Sequence, residues 1–308
     1  MAVGCDNFGS SQTSPYLQLW DPSPANGNKS SLVFNGQGSN VTALKYYNDT
    51  ILISGSEDKY VRIWDLTTGT AVRSIDTLLT VNALITLSNG LFVTAGGNDI
   101  KVWYLDTGSH KSTVSHAKTV NVLEVLDDGF ASGSEDFFIK LWNNTGDWTK
   151  NLNANNPVKS LKRISSDLLA SGLAGNNHVL VWFLNNQTIK CDVSGHSNNV
   201  NALEMLSNGY LASGDANGWI KIWDIVSCLE VNNMNYGSPT HSGKVNALKL
   251  IDVNLMASAS SDKTIRIWNT TTGTQINLLT TNLFNYALEL LGIIFNKRLF
   301  SFKLFNLF

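Results

Sequence analysis

Short runs in which aliphatic residues alternate with lysine or arginine recur along the chain. They read VRIW, IKVW, IKLW, VLVW, IKIW and IRIW, ending at Trp64, Trp103, Trp142, Trp182, Trp223 and Trp268. A period of two, rich in β-branched residues, predicts strands. Upstream of each run lies a second apolar element: ILISGSED, LFVTAGGND, FASGSED, LLASGLAGN, YLASGDANG or LMASASSD. Further upstream is a third: VTAL, VNAL, VNVL, VKSL, VNAL or VNAL. Asn89-Gly90, Asp128-Gly129 and Asn208-Gly209 separate the third element from the second. Both positions of these dipeptides tolerate φ > 0, so they favour tight hairpin turns. After each tryptophan comes a polar turn, such as Asp65-Leu66-Thr67-Thr68-Gly69, and then one more short strand. No long amphipathic helical pattern appears.

With Trp20 included, the tryptophan gaps are 44, 39, 39, 40, 41 and 45 residues. Four strands in each block of that length, joined by tight turns, form a meander. Trp-Asp stands at Trp20-Asp21, Trp64-Asp65 and Trp223-Asp224, and Trp-Asn at Trp142-Asn143 and Trp268-Asn269. Gly195-His196 lies 27 residues before Trp223, His241 lies 27 before Trp268, and His116 lies 26 before Trp142. In these features the sequence resembles the WD40-repeat family over essentially its whole length. The resemblance implies an all-β fold: a seven-bladed β-propeller with four-stranded antiparallel blades, occupying 1–308 as a single domain. It also implies a closing blade shared by the two termini, because a family repeat supplies the outer strand of one blade and the inner three of the next. Its outer strands are expected from about 16–36 and its inner strands from about 284–305, with Ala287-Leu288-Glu289 aligned on Ala202-Leu203-Glu204 and Leu299-Phe300-Ser301 on Leu211-Ala212-Ser213. This gives the apolar tail a role inside a sheet, where closure removes unpaired strand edges. Lys297, Arg298 and Lys303 break the tail, so no spanning run of roughly 18–20 apolar residues forms.

The resemblance further implies buried hydrogen-bonded sets of His, Ser or Thr, Asp and Trp within the blades. The matching residues are His116, Ser132, Asp136 and Trp142, and His241, Ser258, Asp262 and Trp268. A partial set is His196, Ser213 and Trp223, with Asn217 at the Asp position. In the blade of Trp64, Ser54 and Asp58 are accompanied by Gln37 where His is usual. Ser, His and Asp together invite comparison with a hydrolytic triad. These residues recur blade by blade, however, whereas catalysis needs one asymmetric cluster with an oxyanion hole. The stretch GSPTHSGK, residues 237–244, resembles a phosphate-binding loop but has five intervening residues and Val245 after Lys244, where Ser or Thr is required. There is no HExxH and no metal-spaced histidine cluster. No catalytic residue, cofactor or metal is expected.

Net charge is −2 and 15% of residues are charged, which gives no electrostatic reason to expect nucleic acid or an anionic membrane as partner. The three cysteines, Cys5, Cys191 and Cys228, are far apart and in no CxxC pair. A disulfide framework or zinc site is therefore not expected, and a reducing compartment, the cytoplasm or the nucleus, fits best. The first residues lack the basic and apolar regions of a signal peptide.

Two features map to the face that, in the family, carries the loops entering the innermost strands and the turns between second and third strands. Asn82, Asn121, Asn201 and Asn246 open innermost strands and should ring the mouth of the central channel, with Thr42, Lys159 and Tyr286 at the other positions. Such side chains often do no more than bond local backbone. Tyr60, Phe138 and Trp219 stand four residues before the blade tryptophan, where the family usually has Thr, and aromatic residues are enriched in binding hot spots. Glu57 and Glu135 flank the same turns and could give the face an acidic cast; Trp148 falls on the opposite face. The expected function is a non-catalytic scaffold or adaptor: a monomeric propeller within a complex that binds other proteins or peptides. The alternatives are a propeller enzyme with a channel-mouth site, or the substrate-receptor subunit of a ubiquitin-ligase or signalling complex.

Overall fold

The computed structural model describes residues 17–20, 30–233, 240–280, 288–290 and 304–306. Every regular element among them is a β-strand. Six four-stranded antiparallel blades follow one another along the chain, at residues 41–76, 83–115, 120–153, 158–193, 200–233 and 245–280. In each, consecutive strands pair as hairpins, and the first is innermost. Burial explains the order. The second strands are apolar or small except at Asp215, and Gly129–Ser134 is buried at every residue. The outermost strands alternate or are largely exposed, as in Trp148–Asn153. The polar turn after the tryptophan is fixed by its Asp or Asn: Asp65 Oδ1 accepts the amides of Thr67 and Thr68, and Asn143 Oδ1 and Asn269 Oδ1 accept those of Thr145 and Thr271.

The core is a series of layers between blades. Ile53, Val61 and Ile63 of blade 1 pack on Val81, Leu84, Phe92 and Trp103 of blade 2. The next layer joins Val93, Ile100 and Val102 to Val120, Phe130 and Trp142 of blade 3. Side chains of this size contribute about 1.5–3 kcal/mol each when fully buried. Close approach depends on the glycine that follows the buried serine of these strands: a Cβ on Gly55, Gly133 or Gly214 would lie 2.4–2.5 Å from a methyl of Val81, Val158 or Val245, at the start of the following repeat. Blade 6 has the buried Ala259 at the corresponding place.

The expected seven-bladed count is corrected to six. Four short terminal strands, Leu17–Trp20, Ser30–Phe34, Leu288–Leu290 and Leu304–Asn306, do pair antiparallel, in the order second, first, fourth, third. The ladder between the last two holds three residue pairs, from Leu288↔Asn306 to Leu290↔Leu304, against the five that join Leu168–Leu173 to Val179–Phe183. This sheet is a fragment, not a further blade of the repeat. Its physical limit is strand length, since three residues secure little of a ladder. The partner of Leu288–Leu290 is Leu304–Asn306, while the expected inner segment at Leu299–Ser301 lies outside the described residues, as does Tyr286.

A second correction concerns the cysteines. Cys191, on the outermost strand of blade 4, is disulfide-bonded to Cys228 in the turn before the outermost strand of blade 5, with Cα atoms 5.4 Å apart. The two are 37 residues apart in sequence, close to one repeat, which is what brings them side by side. Cysteine usage therefore gives no reason to place the chain in a reducing compartment. Among the described residues no helix is long and apolar enough to cross a membrane.

Candidate functional site at the channel mouth

The innermost strands surround a channel of about 510 Å³. Five open on a buried valine, and in these the pairing register slips immediately after it, between Val41 and Ala43, Val120 and Val122, Val158 and Ser160, Val200 and Ala202, and Val245 and Ala247. The skipped residues are Thr42, Asn121, Lys159, Asn201 and Asn246. Each is the extra residue of a β-bulge, a device that re-aims a side chain. With Asn82, they line the channel.

Several of these side chains stitch blades together. Thr42 Oγ1 donates to the Val81 carbonyl, Asn82 Nδ2 to Val120 O at 3.1 Å, and Asn121 Nδ2 to Val158 O at 2.8 Å. In blade 4, Ser160 Oγ takes over this duty toward Val200 O at 2.9 Å, which leaves Lys159 to pair with Glu135. Asn201 Nδ2 instead donates to Asn199 O at 2.9 Å, and Asn246 Nδ2 to Ser261 Oγ at 2.9 Å. Glu135 also accepts from Asn121, and burial, which pushes its carboxyl up, is outweighed by these donors and by Lys159 and Lys118, so its pKa lies below the usual value. Glu57 accepts from Ser39 and Asn40. Both carboxylates of the expected acidic cast are thus engaged locally.

Backbone bonds such as Glu57 N to Asn40 O, Glu135 N to Thr119 O and Ala216 N to Asn199 O place the turns between second and third strands beside the channel mouth. Tyr60, Phe138 and Trp219 follow those turns in blades 1, 3 and 5. Tyr60 is exposed, with the Arg62 guanidinium 5.2 Å from its ring centroid; Phe138 and Trp219 are half-buried. Phe137, not singled out from the sequence, is exposed beside Phe138. Trp148 is 59% exposed, opening an outermost strand.

The His, Ser, Asp and Trp residues lie inside the blades. In blade 3, Trp142 Nε1 donates to Ser132 Oγ at 2.8 Å, His116 Nε2 lies 2.7 Å from the same oxygen, and His116 Nδ1 lies 2.9 Å from Asp136 Oδ2. Blade 6 repeats this with Trp268, Ser258, His241 and Asp262. A neutral imidazole satisfies every group: it accepts the serine proton at Nε2 and donates from Nδ1 to the carboxylate. Burial lowers the pKa of His116 and His241, against the opposing pull of Asp136 and Asp262. Burial raises the two carboxyls, but other contacts prevail and hold them below the usual range: the amides of Ala117 and Phe138 and then His116 for Asp136, and His241, Thr264 and the Ser242 amide for Asp262.

In blade 5 the acid is not at Asn217. It is the fully buried Asp215, whose Oδ2 lies 3.1 Å from His196 Nδ1, completing the set of His196, Ser213 and Trp223. Asn217 bonds Ser197 instead. The carboxylate has moved from the turn to the strand end and still reaches the same ring. In blade 1, Gln37 Nε2 donates to Ser54 Oγ at 2.8 Å, and Arg62 Nη1 bridges Gln37 Oε1 and Asp58 Oδ2 at 2.7 Å each. Blades 2 and 4 keep only the tryptophan bond, to Thr94 and Ser171. Among the described residues no group of three His, Cys, Asp or Glu is placed to hold a metal ion.

Meander blades around a channel, each stapled by an indole-to-hydroxyl bond and three of them by a buried histidine-carboxylate pair, define a β-propeller. The fold is a β-propeller, and three segments of the chain carry WD40 repeats. The family model described as WD domain, G-beta repeat matches residues 28–65, 187–224 and 235–269. Among curated proteins, the chain is 35% identical over 86 residues to the nuclear distribution protein nudF of Aspergillus niger. That match covers 27% of this chain and 19% of nudF, so the chain spans about a fifth of that relative's length. Among solved structures, the crystal structure of the computationally designed Ika8 protein superposes with a TM-score of 0.73 at 24% identity, over 99% of this chain and 95% of that one, a likeness of fold alone.

Proposed function

We propose that the chain is a non-catalytic scaffold that binds peptide or protein partners on the face around the channel mouth. The observation that carries this reading is the ring of polar residues, the bulged Thr42, Asn121, Lys159, Asn201 and Asn246 together with Asn82, around an open channel. Tyr60, Phe138 and Trp219 beside it supply aromatic contact area, and a stable contact of this kind buries about 1,200–2,000 Å² in total. Trp219→Ala with Phe138→Ala should abolish capture of a partner recovered by the unaltered protein while the melting temperature stays the same. A doubly substituted protein that still captures that partner moves the site elsewhere.

In the same reading, residues 1–308 act as one domain and one copy serves in a complex. The terminal strand Leu288–Leu290 lies beside the innermost strands of blades 1 and 6. Removing residues 284–308 should then yield aggregated protein; a soluble monomer with unchanged melting temperature rules this out. A cytoplasmic or nuclear location belongs to the proposal too. Finding Cys191 and Cys228 fully oxidised in protein alkylated on cell lysis would argue for an oxidising compartment instead.

A further inference from the structure

We propose that the channel mouth holds an anion-binding subsite, centred on Lys244, that receives a carboxylate-bearing segment of an acidic peptide. The proposal deepens the reading of this face as a docking surface and rests on it.

The chain as a whole carries −2, yet among the described residues the channel is lined by Lys45, Lys159, Lys162, Lys244 and Lys249 against Glu124 and Glu204. The lining is therefore locally cationic in a weakly anionic protein, and a concave site of one sign concentrates ligands of the other. Two of the lysines are committed: Lys162 pairs with Glu204 at 2.8 Å, and Lys159 shares Glu135 with Asn121. Glu124 accepts the backbone amide of Arg163 at 3.0 Å. Lys45 and Lys249 have contacts of their own.

Lys244 stands apart. Its backbone is fixed, since its carbonyl accepts the Ser261 amide at 2.9 Å. Its side chain keeps access to the channel, but among the described residues it has neither a carboxylate partner nor a hydrogen-bond acceptor. The residue is exposed at the mouth, and surrounding protein and the like charge of Lys159 both lower its pKa. A bound anion would remove both penalties, through a charge-assisted hydrogen bond in a partly desolvated site.

One uncompensated ammonium suits a monoanion. A carboxylate fits this balance better than a phosphate dianion, and Asn201, which uses one amide hydrogen on Asn199, keeps another for the ligand. The channel volume holds several side chains, so an extended acidic segment can enter where a lone ion would leave most of the space unused.

The test is calorimetric titration of the full chain with a hexaglutamate peptide, with inorganic phosphate as a second titrant. The peptide should bind, and Lys244→Gln should weaken it about tenfold, the loss expected for one charge-assisted contact, without changing the melting temperature. Lys111→Gln, on the outermost strand of blade 2, should leave the affinity unchanged. Absence of hexaglutamate binding, equal binding by the Lys244→Gln protein, an equal loss in the Lys111→Gln protein, or phosphate binding as tightly as the peptide would each overturn the subsite. A partner whose capture needs Trp219 and Phe138 but ignores Lys244→Gln would overturn it while leaving the docking face in place.

Discussion

Ser132 and Ser171 occupy the same place in adjacent blades but carry different loads. Ser132 Oγ serves two buried groups, the Trp142 indole at 2.8 Å and the His116 imidazole at 2.7 Å. Ser171 Oγ serves the Trp182 indole at 2.9 Å, with no histidine beside it. Both serines are fully buried. Truncation to alanine strands each partner without water, at about 1–3 kcal/mol per orphaned group. Ser171→Ala should therefore cost about 1–3 kcal/mol and Ser132→Ala about 2–6 kcal/mol, since two groups are orphaned rather than one. The loss of the hydroxyl's own burial is common to both, so the difference isolates the imidazole bond. Urea unfolding followed by tryptophan fluorescence measures it, provided the slope with denaturant is the same in both variants. Amide exchange should localise the weakening to Gly129–Ser134 and its neighbours, because stability in stacked repeats is set between nearest units. Equal destabilisation by the two substitutions would show that the histidine bond contributes nothing net, and the load-sharing account of the blades would fail.

Acid should unfold the protein in two stages. His116 and His241 have folded pKa values below the ordinary 6.5, so the unfolded chain binds protons first and stability declines as pH falls from about 6.5 through the folded values. Asp136, Asp215 and Asp262 lie below the ordinary 3.8, so their contribution is intact above that pH and is lost as pH falls further. A melting temperature independent of pH between 7 and about 3 contradicts both directions. Cys228→Ser should lower stability under oxidising conditions by up to about 4 kcal/mol, the closure entropy of a loop of that length. Reductant should bring the unaltered protein to the same urea midpoint, and a reductant-insensitive midpoint argues against the bond. Gly133→Ala places a Cβ 2.4 Å from a Val158 methyl and should destabilise by about 1–3 kcal/mol through overpacking, whereas a neutral result would mean the blades can part freely.

The blades were legible because one period governs them. Valine, the small-residue strand and tryptophan recur at fixed offsets, and each offset is a packing contact. His116 with Asp136 and His241 with Asp262 follow that register, and the structure joins them. Asp215 was missed because it replaces a serine of the register while performing the task assigned to Asn217. Arg62 was missed because an arginine in a strand reads as solvent-facing, yet it bridges Gln37 and Asp58 in the blade interior. The cysteine pair was hidden by reading sequence distance as spatial distance; measured in repeats, 37 residues is about one step sideways. The extra blade was inferred from the family's offset of repeats and from aligning the tail with residues 202–213, and such an alignment does not reveal how few residues pair. Which lysine of the channel lacks a carboxylate depends on contacts between blades, and no single repeat encodes those.

The bulge ring has an uneven surplus of donors. Asn121 spends both amide hydrogens, on Glu135 and on the Val158 carbonyl, so toward a guest it can only accept. Asn82 spends one on Val120 and keeps one. A visitor that recruits the spent hydrogen of either residue must first release a neighbouring blade, so occupancy of the mouth and cohesion of the wheel would compete for the same protons. A guest content with the unspent ones would instead leave the hub tight, and the stiffness of the assembly would then report which kind of visitor had arrived.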